Sequence, residues 1–106
     1  MENQHRIIKG YRDLSAGEIA LMNEVKEVGQ TMATLLLKVE KHIESQYDAA
    51  YNEDLNANEL EEVNVDEAEL ERLGIAAPYH WLTLAKDDLQ TGIMKLVRTV
   101  AQPTTF

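Results

Sequence analysis

The sequence predicts an all-α protein: two long antiparallel helices and a short N-terminal helix, assembling as a helical homo-oligomer. Three observations predict it. Apolar residues recur at steps of three and four over two long stretches, and no β-type alternation, internal repeat or low-complexity tract is evident. Each stretch opens on a helix-start signal, Ser15 to Glu18 for the first and Pro78 for the second. The apolar face of each is wider than a lone helix pair covers. With 106 residues, 44% of them hydrophobic and 27% charged, the chain has the make-up of one folded domain rather than a disordered segment.

Residues 1–14 form a polar N-terminal element anchored by Ile7, Ile8, Tyr11 and Leu14. A short helix or turn over residues 2–9 is expected, then a bend from Gly10 to Asp13. Ser15-Ala16-Gly17-Glu18 is a capping box: the serine oxygen accepts from the third helical amide and the glutamate reaches back to the cap amide. The helix that follows, residues 15–47, places Met22, Val25, Gly29, Met32, Leu36, Val39 and Ile43 on a heptad seam. Leu21, Val28 and Leu35 run beside it, with His42 next in step. A helix from Ala16 to about Tyr47 is roughly 48 Å long.

Residues 48–77 are an acidic connection. Asn52, Asn56 and Asn58 suit loops or caps, and Asp66 suits the cap of a short helix through Leu73, with Gly74 ending it. The segment is too polar to supply much core. The second long helix, residues 78–103, starts at Pro78 and carries Leu82, Ala85, Leu89, Ile93, Leu96 and Val100 on one stripe. Trp81, Met94, Val97 and Ala101 widen that stripe, and Pro103 stops the helix after Gln102. One chain cannot bury all this surface, at roughly 25 cal/mol per Å², so subunits of a homo-oligomer complete the core. The competing reading is a monomeric bundle closed by the N-terminal and connecting helices.

The net charge of −9 is concentrated. Residues 48–72 hold ten acids and one base, Arg72, and the rest of the chain cancels. The first twelve residues lean positive, with Arg6, Lys9 and Arg12 against Glu2. Exposed charges more than ~8 Å apart are largely screened at physiological salt, so this patch can attract an anion despite the overall sign. Non-specific binding to DNA or RNA needs many neutralised phosphates, and the bases here are too few. There is no cysteine, no apolar run near the ~20 residues that span a bilayer, and no apolar core of a secretory signal, so no membrane role and a cytoplasmic protein are expected.

No nucleophile elbow, phosphate loop or metal-ligand cluster is present, so neither enzyme activity nor a cofactor or metal is expected. Asp87 and Asp88 are consecutive on a helix and point about 100° apart. His5, His42 and His80 lack metal-ligand spacing. Gly29 and Gly92 each cost a helix interior ~1 kcal/mol, so something should approach the backbone there, a helix or a ligand. Lys26, at the edge of the seam, either snorkels to water or donates to a phosphate. Tyr11, between Lys9 and Arg12, either packs or stacks on a nucleobase. An aromatic plate and a lysine at subunit junctions suit a small anionic nucleotide.

Two runs then become recognisable. The first reads Asn3-Gln4-His5-Arg6-Ile7-Ile8-Lys9-Gly10-Tyr11-Arg12-Asp13-Leu14-Ser15, leading into Glu18-Ile19-Ala20-Leu21-Met22-Asn23-Glu24-Val25-Lys26. The second reads Trp81, Asp88-Leu89-Gln90-Thr91-Gly92-Ile93-Met94, Leu96-Val97-Arg98 and Val100-Ala101-Gln102-Pro103. Together they resemble the phage anti-CBASS family of cyclic-oligonucleotide sequestering proteins, second type. That resemblance implies a helical homohexamer in the host bacterial cytoplasm. Such a protein binds cyclic dinucleotides and cyclic trinucleotides and releases them unaltered, so that the effectors of the host response stay inactive. It also implies a ligand pocket using Tyr11 and Lys26, with Lys9, Arg12 and Arg98 as further candidates. In the family pattern the helices are joined by a shorter, less acidic connection, so residues 48–77 look like an insertion.

A rival reading needs no small-molecule pocket: an acidic helical interaction protein that mimics nucleic acid or blocks a host defence protein directly. Its seat would be the 48–72 segment.

Overall fold

The computed structural model of the chain describes residues 12–51 and 65–105. The expected N-terminal helix at residues 2–9 lies outside them. Ser15 and Glu18 form the capping box: the Glu18 amide donates to Ser15 Oγ at 3.1 Å, and the Ser15 amide donates to Glu18 Oε1 at 2.9 Å. Two of the orphan amides at a helix start are thereby satisfied. Helix α1, Ala16–Ala50, follows and runs three residues further than the sequence suggests. The Tyr51 amide still donates to the Tyr47 carbonyl, at 2.9 Å.

Helix α2, Glu67–Ala76, lies inside the acidic stretch. Asp66 caps it as expected, its carboxylate accepting from the Glu69 amide at 3.1 Å. Gly74 does not end it. The helix continues to Ala76 and turns at Ala77, which takes a left-handed conformation at φ 50° while its amide donates to the Leu73 carbonyl at 2.9 Å. Pro78 explains the difference: its fixed φ starts helix α3, Pro78–Ala101, so the reversal falls on the residue before it rather than on the glycine. α3 ends at Ala101, with Gln102 left-handed at φ 51° and Pro103 behind it. Among the described residues there are three helices and no strand.

The described residues fall into two compact units, one of residues 12–33 with 87–105, the other of residues 34–51 with 65–86. In the first, α1 and α3 run antiparallel: Gly29 lies opposite Ile93, and Arg12 and Glu18 lie at the C-terminal end of α3. Val25 is buried in this unit, and Met22, Gly29, Leu89, Ile93 and Val97 are half-buried. In the second unit Ile43, Ala50 and Leu73 are buried, and the Asp66 amide donates to the Ala50 carbonyl at 2.7 Å. Leu73, at 1% exposure, is the most deeply buried large side chain described. The acidic connection thus supplies core after all, because its helical part turns Leu73 inward and its charges outward.

Gly29 has a helix opposite it, as expected, whereas Gly92 has none in this chain. A Cβ on Gly29 would sit 3.7 Å from Ile93 Cγ2, an ordinary contact, so a side chain rather than a backbone faces it. A Cβ on Gly92 would have no atom of this chain within 4 Å. The flanking α1 stripe stays open as well: Leu21, Val28 and Leu35 are about half exposed, as is Leu37. On α3, Trp81 is 64% and Met94 71% exposed.

Candidate functional site

Lys9 and Tyr11 fall outside the described residues, so of the five candidate residues the structure places Arg12, Lys26 and Arg98. Arg12 closes the gap between the start of α1 and the end of α3. Its Nε donates to the Ala101 carbonyl at 3.1 Å and its Nη2 to the Val100 carbonyl at 2.9 Å. Its Nη1 donates to Glu18 Oε1 at 3.3 Å, and Nη2 pairs with Glu18 Oε2. The last carbonyls of a helix have no partner within it, and a cation there also favours the helix dipole. Arg12 therefore acts as a side-chain cap for α3. Glu18 is held at about 2, below its ordinary 4.5, first by the Arg12 guanidinium and then by the Ser15 amide.

Lys26 and Arg98 stand apart from this ion pair. Lys26 is exposed on α1, between half-buried Met22 and Gly29 one turn to either side. Arg98 is exposed in the last turn of α3, where its own carbonyl accepts from the Gln102 amide at 2.8 Å. Neither has an ion-pair partner among the described residues. Arg12, Lys26 and Arg98 belong to the same unit, and Arg12 alone of the three is held in an ion pair among the described residues.

The second unit is chemically unlike the first. Residues 34–86 contain twelve acids and four bases, a net −8 of the chain's −9. Tyr47 on α1 and Tyr79 on α3 stack there with ring centroids 5.8 Å apart and planes 16° from parallel. Partial burial, Glu44 and Glu40 raise the Tyr79 hydroxyl above its ordinary 10.0, with Tyr47 and Asp48 adding to the effect. Sequence reasoning missed this pair. Its only local signal is Glu40, Glu44, Tyr47, Asp48 and Tyr51 at helical spacing on one face of α1.

An open recess of about 310 Å³ is lined by Gln46, Ala49, Ala50, Asp66, Glu69 and Arg72. Its polar groups are already engaged: Asp66 caps α2 and Arg72 pairs with Glu69. It offers an anion no uncommitted positive charge. Among the described residues no group of three His, Asp or Glu is placed to hold a metal ion, and no helix is long and apolar enough to cross a membrane.

No protein-family model matches the chain. Anti-CBASS protein 2 of Pseudomonas phage JBD67 is 41% identical to it over 107 aligned residues, covering 97% of this chain and 97% of that one. The chain belongs to the anti-CBASS protein 2 family. The aligned span runs through the acidic connection as well as the two ends that carry the motif resemblance. In this family member, then, the described lysines and arginines of the first unit divide into one committed to the fold, Arg12, and three without ion-pair partners among the described residues, Lys26, Lys95 and Arg98.

Proposed function

We propose that this anti-CBASS family member is a phage anti-defence protein that binds and sequesters cyclic di- and trinucleotide second messengers, such as 3′,3′-cGAMP, without cleaving them. CBASS effectors then go unactivated in the host cytoplasm. The observation that carries this reading is the 41% identity to Anti-CBASS protein 2 across nearly the whole of both chains. Tyr11 stacks on a base, and Lys26 from a neighbouring subunit neutralises a phosphate as a compact charge. Lys9 and Arg98 flank the anion. The exposed, uncommitted state of Lys26 and Arg98 supports those roles.

The copies assemble as a homohexamer. Open apolar surface supports association: among the described residues a single chain buries Val25, Ile43, Ala50 and Leu73 and leaves fourteen large apolar side chains at 40% exposure or more. Preformed crevices between rigid helices avoid the cost of ordering a loop around the ligand, which favours slow release. Calorimetry with 3′,3′-cGAMP tests the reading: micromolar protein gives binding heat, and ligand recovered after denaturation is chemically intact. An absence of heat, or recovery of a linearised nucleotide, overturns it.

A second reading is favoured by the charge of −8 on residues 34–86 and by the stacked tyrosines beside Glu40, Glu44 and Asp48. There the protein is an acidic interaction surface that blocks a basic host defence protein directly. Excising residues 48–72 would also remove much of α2, so neutralising Glu40, Glu44 and Asp48 to Gln or Asn is the cleaner test. Anti-defence activity survives that change under sequestration and is lost under direct blocking.

A further inference from the structure

We propose that the stacked Tyr47–Tyr79 pair and the carboxylate row beside it form a docking surface for an arginine-bearing helix of a basic partner protein. This inference builds on the direct-blocking reading and names the chemistry of its partner. Glu40, Glu44 and Asp48 stand four residues apart on α1, so successive carboxylates are about 6 Å apart along the axis. None of the three has an ion-pair partner among the described residues. A row of that length does not converge on one metal ion, and among the described residues no group is placed to hold one. The last turn of α1 carries Asp48 and no base, so the negative end of the helix dipole adds to the row.

The rings add what a row of acids lacks. Tyr79 lies near-parallel to Tyr47 with centroids 5.8 Å apart, which fixes the plane of its ring. The stack covers one face of Tyr79. Even so, 42% of Tyr79 stays exposed, as does 45% of Tyr51 one turn beyond Tyr47. Burial first, then Glu44, Glu40, Tyr47 and Asp48, hold the Tyr79 hydroxyl above its ordinary 10.0, so the carboxylates rim this ring.

A fixed π face rimmed by carboxylates suits a planar cation. A guanidinium lies flat on an aromatic ring while its N–H edge donates in a fork to a carboxylate. An ammonium is a compact, strongly hydrated charge without that fork, so lysine fits this surface less well. Arginines four residues apart on a partner helix repeat at the same ~6 Å as Glu40, Glu44 and Asp48. Two such helices laid side by side bring the opposite charges level with one another.

Calorimetry of the full-length protein with two synthetic alanine-based helical peptides tests this. One carries arginine at every fourth position, the other lysine in the same places. The arginine peptide should bind several-fold more tightly. Tyr79→Leu leaves the charge unchanged and should lower arginine-peptide affinity about two- to fivefold, erasing the preference, whereas Tyr79→Phe should keep it. Glu44→Gln should weaken both peptides and flatten the salt dependence of binding. Circular dichroism checks that each variant is folded; if Tyr79→Leu is not, the two peptides on the parent and on Glu44→Gln decide.

Equal affinity of the parent for the two peptides overturns the inference, because the surface is then acidic and nothing more. So does a folded Tyr79→Leu that keeps the arginine preference, or a parent that gives no heat with either peptide. Failure of the direct-blocking reading looks different. Anti-defence activity that survives neutralisation of Glu40, Glu44 and Asp48, beside an intact arginine preference in the parent, ends that reading and leaves the docking surface established.

Discussion

At the scale of single residues, the first unit separates charges that hold the fold from charges left to solvent. Tyr11→Ala removes a stacking surface worth ~1–3 kcal/mol per base, so affinity for 3′,3′-cGAMP should fall between about five- and 150-fold by calorimetry. Lys26→Ala should lower affinity and flatten its salt dependence, since the lysine acts as a point charge. The ion pair of Glu18 sets a pH dependence of known sign. Its carboxyl is lower in the fold, at about 2, than its ordinary 4.5. The contribution is therefore fully present above 4.5 and lost as pH falls through about 2. Melting followed by circular dichroism should be flat in this respect between neutral pH and about pH 5, and Glu18→Gln should remove part of the acid-side decline. The Arg72–Glu69 pair on α2 is a different case, an i,i+3 pair within one helix with Arg72 open to solvent, and Arg72→Ala should leave the melting temperature almost unmoved.

Among the helices, α2 shows how a short polar element earns its place. Leu73→Ala deletes a side chain that is 1% exposed, and large-to-small changes of this kind cost about 2–5 kcal/mol. Denaturant titration should show that loss, with a smaller one of ~1 kcal/mol for Asp66→Ala at the cap. Gly29→Ala should go the other way. An added methyl meets Ile93 at 3.7 Å without a clash, and alanine gains up to ~1 kcal/mol of helix propensity. The starts and caps of these helices were legible because they are local. Ser15 and Glu18, Asp66 and Glu69, and Pro78 each act within three or four residues. Leu73 was not legible: the acidic connection reads as too polar to supply core until α2 and α1 are seen linked through Ala50 and Asp66. Gly74 is not the stop because Pro78, which starts α3, shifts the reversal to Ala77.

For the molecule as a whole, two properties lay beyond local sequence reading. Arg12 meets Val100 and Ala101 across 88 and 89 residues, and Tyr47 meets Tyr79 across the acidic connection, so no periodicity reports either contact. What could be read was the excess of apolar face, and Leu21, Val28 and Leu35 indeed remain about half exposed in one chain. If those faces join copies in a hexamer, light scattering of the parent should give six times the 12.0 kDa chain mass. Val28→Glu with Leu35→Glu should lower that mass while far-ultraviolet dichroism stays helical. A parent that scatters as a single chain would refute the assembly and, with it, a lysine supplied from a neighbour.

The guanidinium bridge between residue 12 and residues 100–101 also makes the two ends of the described chain neighbours. A short linker spliced from residue 105 back to residue 12 would close the backbone into a loop at modest entropic cost. Such a cyclised protein would hold covalently what the linear one holds by hydrogen bonds, and Arg12→Ala should harm it less.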